Sequence, residues 1–86
     1  MNGPNSIVTI KDYGCVSFHF NEVMDAKDVT RNKLASLTGI RFEVADRLYK
    51  GTIERMDIDV LARVCYVLDC QVSDVMKYNK YNKKSI

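Results

Sequence analysis

This 86-residue chain predicts a mainly α-helical domain. The expected architecture is a bundle of about five short helices behind a short N-terminal β-hairpin or strand. Three observations lead there. Apolar residues recur at spacings of three and four from Phe20 to Met76, the signature of helices that bury one face. Gly39 and Gly51 fall just past two of these runs, where a chain ends a helix in the left-handed conformation. Thr30 and Asp57 stand just before two others, where side-chain oxygens cap exposed backbone N–H groups.

The elements follow in order. Residues 6–12, SIVTIKD, are β-branched, and residues 15–20, CVSFHF, alternate Val16, Phe18 and Phe20 against Cys15, Ser17 and His19. Asp12-Tyr13-Gly14 between them reads as the turn of a hairpin. A first helix covers about residues 20–27, with Phe20, Val23, Met24 and Lys27 on one stripe. Thr30 caps a second, about 31–37, whose inner side carries Leu34, Ala35 and Thr38. After Gly39, Ile40 fills the corner, and a third helix covers about 42–50 with Ala45, Leu48 and Tyr49 inward. Asp57 caps a fourth, whose buried stripe is Leu61, Val64, Cys65 and Leu68. Val72, Val75 and Met76 mark a last short helix.

Composition narrows the function classes. Hydrophobic residues make up 47% of the chain, with one Pro and four Gly, which fits a packed domain rather than a linker or a disordered segment. No apolar run approaches the roughly 20 residues of a membrane span. The start, MNGPNSIVTIKDYG, has neither the charged nor the apolar region of a secretory leader. A cytoplasmic protein is expected. Cys15, Cys65 and Cys70 are odd in number and lack tight CxxC spacing, and the only histidine is His19. Reduced thiols in the core are expected, with no metal site and no cofactor. No nucleophile–base set, phosphate loop or paired carboxylate suggests an enzyme, and no small-molecule ligand is implied.

Charge is distributed unevenly. The formal total is +2, but the segment after Met76 carries Lys77, Lys80, Lys83 and Lys84 and no acid. Residues 1–76 are therefore net −2. Within them, residues 31–55 carry Arg31, Lys33, Arg41, Arg47, Lys50 and Arg55 against Glu43, Asp46 and Glu54, a local +3. Positive charge gathered in one segment and in the tail suits a polyanionic partner.

The stretch KLASLTGIRFEVADRLYKG, residues 33–51, explains why two helices too short to stand alone are joined by a glycine break. Ala35 is small where the third helix crosses. Gly39 makes the turn four residues later, and Ile40, Ala45 and Leu48 hold the crossing. This is a helix-turn-helix unit, which frees the outer face of its second helix to enter a major groove about 12 Å wide. LASLTGIRFEVADRLYKG followed by DVLARVCYVLDCQVSDVMKY resembles the Cro/λ-repressor-type helix-turn-helix regulators, in particular their small single-domain bacterial branch. The resemblance covers roughly residues 16–78. It implies a λ-repressor-like bundle, sequence-specific binding of double-stranded DNA, a role in transcription and a homodimer. The domain is expected to span residues 1–78, with residues 1–19 as its strand extension and residues 79–86 as a flexible basic tail.

Carried over by position, the resemblance gives Arg31 a phosphate contact. Arg41, Phe42 and Glu43 stand where base edges are read. Asp46 and Arg47 lie one turn on and face the same groove, and Lys50 and Arg55 match backbone-contacting positions. Arg47 offers a fork to guanine, Glu43 or Asp46 an acceptor to cytosine N4, and Phe42 a contact to a thymine methyl. Arg41 stands where the family has Ser or Thr, so the third helix forgoes a cap worth about 1 kcal/mol. Glu43–Arg47 and Asp46–Lys50 are favourable i, i+4 pairs that would partly neutralise this face. The alternative is a helix-turn-helix used for protein contact. The dimer surface is expected in the hairpin, residues 6–18, which holds more apolar side chains than a lone hairpin can bury.

Overall fold

The computed structural model describes residues 13–81. β1 (Cys15–Phe18) leads into α1 (Phe20–Ala26), α2 (Arg31–Thr38), α3 (Phe42–Lys50), α4 (Ile58–Leu68), α5 (Val72–Val75) and β2 (Met76–Asn79). The expected class, five short helices with a short strand at the N-terminal side, is the one found. Residues 6–12, the expected first strand of the hairpin, lie outside the described residues, as do 82–86.

β1 pairs antiparallel with β2 in the register Cys15 to Asn79 and Phe18 to Met76. The sequence reading gave Met76 to the last helix and placed no strand after it. The helix instead stops at Val75, where Met76 turns extended and opens β2. The reason is tertiary. The His19 N–H donates to the Val75 carbonyl at 2.7 Å, and Asn79 Nδ2 donates to Ser17 Oγ at 2.9 Å, so β1 recruits the chain after α5 as its neighbour.

The helices pack around Phe20, Met24, Leu34, Ala45, Leu48, Val64, Leu68 and Val75, all essentially removed from water. At about 25 cal/mol per Å² of apolar surface, such burial is the main stabilising term for helices of this length. Local chemistry sets their ends. Thr30 accepts from the Lys33 N–H, and Asp57 from the Asp59 N–H at 2.8 Å. Gly39 closes α2 at φ 80° with its N–H on the Ala35 carbonyl, and Gly51 closes α3. Lys27, expected on the inner stripe of α1, caps that helix and sends its ammonium to the Leu68 and Asp69 carbonyls, where α4 concentrates negative charge.

The crossing of α2 and α3 is fixed from several sides. Ala45, with no side chain beyond Cβ, is fully buried, and half-buried Ala35 and Ile40 pack against the core. Thr38 Oγ1 donates to the Leu34 carbonyl and accepts from the Ile40 N–H. Arg63 of α4 donates to the Thr38 carbonyl at 3.2 Å, satisfying an acceptor that the end of α2 leaves unpaired.

Candidate nucleic-acid interface

α3 presents the surface of interest. Ala45 and Leu48 face the core, while Phe42, Glu43, Arg47 and Lys50 are exposed and Asp46 is half-buried between them. Phe42, Asp46 and Lys50 recur every four residues, so they form one ridge, with Glu43 and Arg47 beside it. Arg41, also exposed, precedes the helix without a side-chain cap, as the sequence implied. Arg55 is exposed in the connection to α4, and with Arg47, Thr52, Ile53 and Glu54 it lines one shallow groove.

Arg31 joins this surface from α2. Its guanidinium pairs with Asp46 and lies over the rings of Phe42, at 5.8 Å from the ring centre, and Tyr49, at 5.5 Å. A cation in the first turn of a helix is poorly placed against the helix dipole, and the Asp46 carboxylate with the two ring faces offsets that. Asp46 also takes an ion pair from Lys50 at 3.1 Å. Lys50, then Arg31, hold the Asp46 carboxyl below its usual range, although partial burial pushes the other way. Of the two expected i, i+4 pairs, only Asp46–Lys50 forms. Among the described residues Glu43 and Arg47 have no ion-pair partner.

Other contacts escaped the sequence reading. The Tyr49 hydroxyl donates to the Asp25 carboxylate at 2.9 Å, fastening α3 to α1. On β1, Ser17 Oγ lies 2.9 Å from His19 Nε2, and His19 Nδ1 lies 3.0 Å from Glu22 Oε2. Asn79 engages the same Ser17 oxygen, so this chain of polar groups ties β2, β1 and the first turn of α1 together. Among the described residues no three His, Cys, Asp or Glu side chains gather as metal ligands would, and no helix is long and apolar enough to cross a membrane.

Comparison with known proteins identifies the fold. The Cro/C1-type HTH DNA-binding domain matches residues 19–81, most of the chain. The chain belongs to the Cro/C1-type HTH family. Binding DNA is the function that this membership carries. Among solved structures, this Cro/C1-type domain is similar to the crystal structure of the transcriptional regulator VanUg, with a TM-score of 0.63 over 88% of this chain and 100% of that one, at 18% identity. At that identity the likeness speaks for the fold. No curated protein matches it significantly.

Proposed function

We propose that this domain binds specific double-stranded DNA sequences as a small transcriptional regulator, with α3 lying in the major groove. The observation that carries the reading is the composition of the outer face of α3. Phe42 and Glu43 project from its first turn and Arg47 from the next, on the face where base edges come within reach in such complexes, and neither Glu43 nor Arg47 is spent on an ion pair among the described residues. Arg41 before the helix, Lys50 at its last position and Arg55 beyond it supply cations for phosphates on either side.

A single helix reads few base pairs, so we assign the protein a homodimer on half-sites about one helical turn apart. Residues 6–18 remain the proposed contact. β1 and β2 form a two-stranded sheet, so each strand keeps one edge unpaired among the described residues, and such edges pair readily with another strand. Val16 and Tyr78 face each other across the sheet, and both are exposed apolar side chains.

Selection of bound sites from a pool of random duplexes tests the reading. An enriched motif with two related halves supports it, and recovery of unenriched DNA at low salt contradicts sequence recognition. A second reading, the module as a protein-contact unit, draws on α4. There Ile58 is 76% and Tyr66 86% exposed, and Leu37, Ala62, Tyr66 and Val67 line a groove between α2 and α4. On that reading substitutions along α4, and not along α3, abolish activity in the cell.

A further inference from the structure

We propose that Asp46 is a built-in stand-in for a DNA phosphate, which occupies Arg31 and Lys50 in the free protein and so restrains binding driven by charge alone. The inference rests on the DNA-binding reading and assigns a specificity-determining residue within it.

The geometry is that of an anion site already filled. One carboxylate receives a guanidinium from α2 and an ammonium from the next turn of α3. Those are the donors a phosphate takes from proteins. Arg31 is held by more than charge, because the Phe42 and Tyr49 rings flank its guanidinium and hinder it from swinging outward. Asp46 is only 23% exposed as a side chain, so it cannot move aside freely into solvent.

The consequence is electrostatic. Every duplex offers the same phosphates, whatever its sequence. To use Arg31 and Lys50, a phosphate must take them from Asp46, leaving a carboxylate uncompensated beside a polyanion. On random DNA nothing offsets that repulsion. On a matched site an Asp46 oxygen released from its cation can accept from a cytosine N4, and Arg47 and Arg41 add contacts that do not require the exchange. Glu43 adds negative charge to the same face but holds no cation among the described residues. Asp46 is therefore the acid whose removal releases positive charge.

The experiment compares the full chain with Asp46→Asn on a random-sequence duplex at several salt concentrations, with circular dichroism as the folding control. The expected result is binding tighter on the order of tenfold at low salt. The salt slope should steepen by up to about two units, since each newly neutralised phosphate contributes about 0.9. Discrimination between a selected site and random DNA should fall. Folded Asp46→Asn with an unchanged slope, or with weaker binding to random DNA, overturns the proposal and leaves the DNA-binding reading standing. Absence of binding by the unmodified chain to any duplex overturns both. If Asp46→Asn does not fold, Arg31→Met decides against Arg47→Met. Arg31, already compensated, should alter the slope by clearly less than Arg47, and equal changes overturn the proposal.

Discussion

The hydroxyl of Tyr49 donates to the carboxylate of Asp25 across the gap between α3 and α1, at 2.9 Å to one oxygen and 3.1 Å to the other. The contact holds the Tyr49 phenol above its ordinary value near 10.0, first through the hydrogen bond and then through partial burial. A raised value in the folded state means that the contact stabilises fully below the unfolded value and is lost as pH rises through the folded one. Tyr49→Phe should therefore lower stability at neutral pH, with the ring beneath Arg31 retained. The difference from the unmodified chain should close as pH climbs past 10. Denaturant unfolding of both proteins across that range checks it. A difference that stays constant through the phenol titration would refute the assignment.

Gly39 and Gly14 both sit at positive φ, 80° and 82°, but in different surroundings. A Cβ on Gly39 would have only Arg63 Nη1 close by, at 3.7 Å, whereas one on Gly14 would collide with the Asn79 carbonyl of β2. Gly39→Ala should then cost about 1 kcal/mol, the conformational penalty alone, or roughly 4–8 °C in Tm for a domain of this size. Gly14→Ala should cost more, with the damage confined to the β1–β2 pairing. Thermal melts rank the two. A Gly39 variant less stable than the Gly14 variant would contradict the steric argument.

The contrast between local and distant interactions marks what was legible in the sequence. Thr30, Gly39, Gly51 and Asp57 act on backbone groups within a turn of themselves, so α3 begins and ends where the sequence placed it and α2 extends by a single residue. β2 was missed because the alternation of MKYN is only four residues long and Met76 also continues the helical spacing of Val72 and Val75, while its reason for being extended is β1, about sixty positions earlier in the chain. Asp46–Lys50 was legible as an i, i+4 pair. Arg31–Asp46 was not, since only the crossing of α2 over α3 brings those two together. The residues named for DNA contact were read by position in a familiar pattern. The fold brings Phe42, Glu43, Asp46, Arg47 and Lys50 to one surface, gathers Arg47 and Arg55 at one groove, and spends the charge of Arg31 within the protein.

The cysteines should differ in reactivity. Burial, reinforced by the neighbouring Cys65, pushes the Cys70 thiol up to about 11, so almost none is thiolate at neutral pH, and the thiolate is the reacting form. Cys15 is exposed on β1, and Cys65 and Cys70 are partly covered. Alkylation of the native protein near neutral pH should modify Cys15 first and Cys70 only slowly, with the order lost in denaturant. Mass spectrometry of digested protein after brief labelling reads this out. Rapid native modification of Cys70 would contradict this order. Because its folded value is raised, Cys70 also favours the fold most below the ordinary thiol value of 9.0 and loses that contribution as pH rises toward 11.

The last prediction concerns how copies associate. The β1–β2 sheet has exposed Val16 and Tyr78 directly opposite each other, and Tyr13 and Tyr81 nearby are exposed as well. A two-stranded sheet is marginal by itself, and this one gains an apolar covering and further hydrogen bonds if a second copy adds a strand along its open edge. Association through that edge follows a two-fold axis, which matches the symmetry of paired half-sites. Val16→Glu places a charge in such a contact, while its backbone pairing to Tyr78 within the chain is unaffected. Sedimentation at micromolar concentration should give a dimer for the full chain and a monomer for Val16→Glu. A chain lacking residues 1–12 should dissociate more readily than the full chain, because the segment 6–12 is proposed to share the contact. Tyr66→Glu on α4 serves as the control and should remain dimeric. A full-length monomer, or a dimer broken by Tyr66→Glu and not by Val16→Glu, would move the interface off the sheet and on to α4.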